Sequence, residues 1–177
     1  LGARAARTLD SFDGERLRID AELAAVDLPP LGTAELIGAR LYTGPCFVKY
    51  NAVLRSFAGV DCDALCLGNT YATSLHAINS CLLKLGKLTA ATTVFRGLGG
   101  AVVPQAFLVA DAATNIRGGV EFAFLSTTTE RAVAVRYAGS GAATVLELSQ
   151  GLTDRGADLS WCSQYPREHE ITFPPLS

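Results

Sequence analysis

The chain has 177 residues, of which 49% are hydrophobic and 18% charged: enough apolar material for one domain to bury a core, and too much for a disordered chain. Its 15 basic and 17 acidic residues give a net charge of -2 with no basic stripe, which excludes nucleic-acid binding through phosphate neutralisation. The longest apolar run, residues 98–110, is broken by Gly99, Gly100, Pro104 and Gln105, so no membrane span is expected.

The chain starts Leu1-Gly2-Ala3-Arg4 without a Met or an apolar signal core, which reads as excision from a longer protein or as processing. Residues 1–30 read as an arm or helical extension of a single domain. Thr33 to Leu41 is a short candidate helix. Residues 45–57 make a better one, because Pro45 suits a first turn and Phe47, Tyr50, Val53 and Leu54 recur at helical spacing. Asn69 or Thr70 would cap a third helix with Leu75, Ile78, Leu82, Leu83 and Leu85 on its apolar face, and Gly86 would end it.

The second half changes character. Residues 92–96 are β-branched and aromatic, as strands prefer, and residues 120–125 follow a Gly118-Gly119 turn as a second strand. Thr127-x-x-Glu130 resembles a capping box opening a helix through Tyr137. Residues 144–148 and 169–173 are further strands, the last stopped by Pro174-Pro175. Helices first and strands afterwards predict an α+β fold with an antiparallel or mixed sheet. The cysteines at 46, 62, 66, 81 and 162 show no C-x-x-C spacing, and His76 and His169 do not cluster, so no metal is expected. They read as mostly reduced thiols of an intracellular, cytoplasmic protein, with one disulfide through Cys62 or Cys66 left open.

Three places can carry chemistry. In Val94-Phe95-Arg96-Gly97 an arginine ends an apolar strand: it is a solvated edge residue, or a fork for phosphate beside a glycine that lets a ligand approach the backbone. Gly97-Leu98-Gly99-Gly100 is no dinucleotide fingerprint, since Pro104 follows where a helix should start. In Phe124-Leu125-Ser126-Thr127-Thr128 the hydroxyls are local caps or positioning groups; no base accompanies Ser126, so a hydrolase triad is not favoured. Tyr137, eleven residues on, offers a stacking face. In Glu168-His169-Glu170-Ile171-Thr172-Phe173, an extended chain would put Glu168, Glu170 and Thr172 on one face, the acids roughly 6–7 Å apart, with His169 on the apolar side as a structural residue. Such a pair is a solvated edge, or divides labour at a glycosidic carbon, one acid stabilising positive charge and the other handling acceptor protons.

In this order, aromatic-Arg-Gly, Ser-Thr-Thr and Glu-x-Glu, 30 residues separating Arg96 from Ser126 and 44 separating Ser126 from Glu170, the motifs resemble the R-S-E pattern of the arginine-specific mono-ADP-ribosyltransferases, on the cholera-toxin-like branch of that superfamily. The resemblance runs over residues 42–175. It implies an α+β domain whose helical N-terminal part packs on a two-sheet antiparallel or mixed β core enclosing an NAD cleft. It implies NAD as co-substrate, nicotinamide release, an arginine-containing protein as acceptor and no metal. By resemblance, Arg96 contacts the NAD phosphates, the Gly97 backbone holds the nicotinamide carboxamide, and Ser126, supported by Thr127, positions the catalytic Glu170 and the ribose. Glu168 takes the acceptor side, residues 160–167 form the acceptor loop with Tyr165 as a contact, and Tyr137 is the aromatic that stacks on nicotinamide. Thr128 departs from the Ser-Thr-Ser form, and the cysteines do not match the two-disulfide arrangement of the vertebrate ecto-enzymes. An NAD glycohydrolase and a silent NAD- or protein-binding module are the competing readings.

Overall fold

The computed structural model describes residues 6–57, 59, 61–140, 143–151 and 153–177. A 3-10 turn, Leu9–Phe12, leads into α1 (Asp13–Ala24), which buries Ile19 and Leu23, four residues apart and so on one face. α2 (Thr33–Leu41) has the bounds its pattern predicts; Glu35, in its first turn, accepts the Gly32 amide at 2.7 Å. α3 (Phe47–Ser56) starts later than its periodicity suggests, because Tyr42–Cys46 forms a π-type turn around Pro45, which has no amide to continue a helix. After the single turn α4 (Asp63–Cys66) comes α5 (Ala72–Leu85), with Ile78, Cys81, Leu82 and Leu85 buried and Gly86 at its end as expected. Its start differs: Asn69 Oδ1 accepts the Tyr71 amide at 2.9 Å, and Tyr71, at φ 49°, is the cap residue.

These helices surround the larger apolar cluster, which holds Leu31, Leu36, Tyr42, Phe124 and Leu159. Each such side chain contributes about 1.5–3 kcal/mol on burial. One buried ionic cluster joins α2 to α5: Glu35 accepts Ser80 Oγ at 2.5 Å and Lys84 Nζ at 2.8 Å.

The strands are β1 (Thr93–Gly99), β2 (Leu125–Thr128), β3 (Ala143–Ser149), β4 (Ala157–Asp158) and β5 (Glu170–Phe173). They lie in the order β3-β1-β2-β5-β4, every neighbouring pair antiparallel. The α+β expectation holds, and the described strands make one five-stranded sheet where two sheets were expected. β1 links what would be separate halves by pairing with β3 on one side and β2 on the other.

Two local expectations fail for identifiable reasons. Residues 120–124 are not a strand, because Glu121 exchanges backbone hydrogen bonds with Leu176 and Ser177 while its carboxylate takes two bonds from Arg55, at 3.1 and 2.9 Å. The box at 127–130 does not form either. Thr127 belongs to β2, and α6 (Arg131–Ala138) begins after Glu130, whose amide donates to Thr128 Oγ1 at 3.0 Å. α6 crosses β1 so closely that a Cβ on Gly97 would lie 2.0 Å from the Ala134 carbonyl oxygen. That contact requires glycine whatever the strand binds. Among the described residues no helix is long and apolar enough to cross a membrane. The five cysteines are unpaired; burial pushes Cys81 up to about 12 and Cys162 well up, so both are inert thiols at neutral pH.

Candidate active site

β2 and β5 lie side by side with Ser126 opposite Thr172 and Thr128 opposite Glu170. Opposed residues of an antiparallel pair share a face and alternate residues return to it, so these four side chains form one polar patch. Leu125, Ile171 and Phe173 turn the other way and join Val94 and Leu148 in a second apolar cluster. At the centre of the patch Ser126 Oγ donates to Glu170 Oε1 at 2.6 Å, and Thr172 Oγ1 donates to the same oxygen at 3.1 Å. Burial pushes the Glu170 carboxyl above its ordinary value; the two hydroxyls oppose this and the charge of Glu168 adds to it.

Arg96 on β1 approaches from the neighbouring strand, its Nη1 donating to the Ser126 carbonyl at 2.7 Å. Burial lowers its proton affinity, Tyr42 and Glu121 counter that, and Arg55 reinforces it. A guanidinium starts so high that it stays charged. The backbone of Ser126 therefore receives the cation while its hydroxyl serves the acid, and three of the expected residues meet through one.

Glu168 reaches the same cleft by another route than the one expected. β5 begins only at Glu170; Glu168 closes a 3-10 turn, Pro166–Glu168, and His169 between them is left-handed at φ 45°. Strand alternation therefore does not set the spacing of the two acids, and His169 is exposed instead of facing apolar residues. The turn is held by Thr128 Oγ1, which donates to the Glu168 carbonyl at 2.5 Å, and by the Glu168 amide, which donates to the Tyr165 carbonyl at 3.0 Å. Tyr137 Oη lies 3.0 Å from each Glu168 carboxylate oxygen. Burial first, then Glu168 and Glu170, push its phenol up to about 12, so it remains a donor.

Thr127, expected to support Ser126, donates instead to the Ile171 carbonyl at 2.7 Å and ties β2 to β5. The loop before Glu168 is fastened to the helical half. Arg40 Nη1 donates to the Cys162 and Ser163 carbonyls at 2.9 and 2.6 Å, and the Gln164 amide donates to Thr43 Oγ1 at 3.0 Å. Gly44 leaves the room Gln164 needs, since a Cβ there would lie 2.0 Å from its Nε2. Tyr165 follows, and its side chain lines the cleft.

The cleft itself has a volume of about 450 Å³, within the usual range for small-molecule sites, and runs between the Tyr42–Cys46 turn, the start of α3, β1, β2 and α6. Arg96, Gly97, Ser126, Thr127, Tyr137, Tyr165, Glu168 and Glu170 all line it. Sequence reasoning placed Thr172 on the face of Glu170 and read Thr128 among local caps or positioning groups, giving neither a specific partner, and it missed Tyr42. Thr128 carried a readable sign, being a third hydroxyl in a row; Tyr42 carried none. Among the described residues no group of three or more acids, histidines or cysteines could hold a metal.

A helical half set against this antiparallel sheet is a fold shared with solved ADP-ribosyltransferases. The solved structures it is similar to include the ADP-ribosyltransferase HopU1 of Pseudomonas syringae pv. Tomato DC3000, with a TM-score of 0.67 and 21% identity over 99% of this chain and 81% of that one. The Vis toxin from Vibrio splendidus, in its complex with agmatine, gives a TM-score of 0.62 and 19% identity over 97% and 77%. Exoenzyme S from Pseudomonas aeruginosa, bound to carba-NAD and a 14-3-3 protein, gives 0.58 and 21% over 95% and 73%. No protein-family model and no curated protein matches the chain.

Proposed function

We propose that this chain cleaves NAD at the nicotinamide–ribose bond and transfers ADP-ribose to arginine side chains. The observation that carries the reading is the 2.6 Å bond from Ser126 to a half-buried Glu170, made in the same cleft as Arg96 and Glu168. Leaving nicotinamide takes the electron pair of its glycosidic bond and develops positive charge on the ribose. A fixed, ionised carboxylate in a water-poor site lowers that barrier electrostatically. Ser126 and Thr172 both occupy Oε1 of Glu170, which leaves Oε2 for the ribose. Arg96 supplies the cation for the pyrophosphate.

Glu168 serves the acceptor. A guanidinium holds its proton with a pKa above about 12 and is a poor nucleophile until oriented and deprotonated. The acceptor nitrogen forms the new bond to the ribose carbon, and its proton passes to the Glu168 carboxylate and on to solvent. That Vis was crystallised with agmatine, a guanidinium compound, agrees with this acceptor class.

The test is incubation with labelled NAD and agmatine, followed by product identification. Wild type should release nicotinamide and form ADP-ribosylagmatine. Glu170→Gln should lose both activities, while Glu168→Gln should lose transfer and keep slow hydrolysis. Hydrolysis without transfer by wild type would make the chain a glycohydrolase. Tight NAD binding without nicotinamide release would make it a silent module.

A further inference from the structure

We infer that Tyr137 is a latch on the acceptor side of the cleft: its hydroxyl occupies both oxygens of Glu168, so only a two-pronged cation such as guanidinium displaces it well. The inference rests on the transferase reading proposed above. It also moves Tyr137 from the nicotinamide subsite expected for it to the acceptor subsite.

The geometry is built in from both ends. Tyr137 sits in the last turn of α6, and that helix is seated on β1 through Gly97 and Gly99; a Cβ on Gly99 would lie 3.2 Å from the Tyr137 carbonyl oxygen. Glu168 sits in a turn that Thr128 holds by its carbonyl. Neither backbone needs to shift for the two side chains to meet at 3.0 Å. The Tyr137 side chain belongs to a residue 55% exposed, so it has solvent to swing into when released. Release therefore needs rotation about side-chain bonds only, with no movement of α6.

One phenolic proton shared by two oxygens is a divided donor. A guanidinium offers two parallel N–H groups whose spacing matches a carboxylate, so it replaces the phenol at both oxygens at once. An ammonium is a compact point charge without that fork, so it matches the two oxygens less well and competes worse with the phenol. The latch thus penalises every acceptor, and ammonium acceptors most. Tyr165 lies close enough to act on the Tyr137 phenol electrostatically and lines the same cleft, so the displaced ring and the incoming cation share an aromatic wall.

The experiment compares the full wild-type chain with Tyr137→Phe, using agmatine and 1,5-diaminopentane as acceptors. Tyr137 is half-exposed, so solvent discounts its bond to Glu168 to the worth of an ordinary hydrogen bond, and removing it should lower the KM for agmatine roughly three- to tenfold. The preference for agmatine over the diamine should narrow, because the diamine gains more. An unchanged or raised agmatine KM would overturn the latch and make the phenol a positioning group for Glu168. A second readout needs no turnover: carbon-13 NMR of tyrosine Cζ, with the Tyr137 signal assigned by its loss in Tyr137→Phe. Glu168→Gln and added agmatine should each move that signal in the same sense. A signal indifferent to Glu168→Gln overturns the latch whatever the turnover. A signal that moves as stated in a wild type that performs no transfer supports the latch and overturns the transferase reading alone.

Discussion

Ser126→Ala would remove the shorter of the two hydroxyl bonds to Glu170 Oε1, the one at 2.6 Å, and leave the Thr172 bond at 3.1 Å in place. It would also spare the contact with Arg96, which is made to the Ser126 backbone carbonyl and not to its side chain. The variant therefore isolates one interaction. A hydrogen bond to an ionised group is worth about 1.5–3 kcal/mol, and about 1.4 kcal/mol is a factor of ten, so the rate of nicotinamide release should fall roughly ten- to a hundredfold. The pH dependence should move as well. Burial and the charge of Glu168 hold the Glu170 carboxyl above its ordinary value, and the Ser126 hydroxyl is one of two groups that resist this. Without it the carboxyl keeps its proton to higher pH. In the proposed mechanism the ionised form does the work, so activity should rise as pH passes upward through that value, and in the variant the rise should come at higher pH than in wild type. Nicotinamide release at saturating NAD, followed along the acid limb for both proteins, measures the two effects together. Equal rates and coincident limbs would refute the role given to the Ser126 hydroxyl.

Gly97→Ala should lower stability by about 1–3 kcal/mol, because the new methyl group meets the α6 backbone and no flexible side chain can give way. The melting temperature should drop by roughly 3–10 °C, and an unchanged value would show that α6 can lift off β1 freely. Lys84→Met should cost about 3 kcal/mol near neutral pH, by leaving Glu35 buried without its cation while Ser80 and Gly32 still donate to it. Burial opposes ionisation of Glu35, but bonds from Lys84, Ser80 and Gly32 outweigh it and hold its pKa below 4.5. Its contribution is therefore full above the ordinary glutamate value and is lost as pH falls through the lower folded one. Urea midpoints of wild type and variant should converge on acidification, and a constant gap would place the loss elsewhere.

What could be read from the residues was whatever depends on local periodicity or on chemistry at fixed order. The bounds of α2 and the stop at Gly86 follow from spacing and from glycine at a helix end. Ser126 and Glu170 were legible as partners only through the resemblance, which the order and spacing of the three motifs carried; local patterning ended the strand before Ser126. What failed was set by contacts distant in the chain. Residues 120–124 have strand composition, yet Leu176, Ser177 and Arg55 claim Glu121. Glu168 would continue β5, yet the carbonyl of Glu168 is taken by Thr128, forty residues earlier. Gly97 was marked for the approach of a ligand to its backbone; the helix pressing on β1 there is a separate reason that no neighbouring residue announces.

The fastening of the loop before Glu168 to Arg40 and Thr43 has a consequence for inheritance of damage. The segment that would choose the acceptor has local bonds of its own, such as the Tyr165 amide donating to Ser163 Oγ at 2.9 Å, but its placement leans on the far end of α2 and the turn after it. Loosening the end of α2 that holds this loop should thus blur the choice of target before it slows the breaking of the glycosidic bond, since Ser126, Thr172 and Glu170 sit on paired strands.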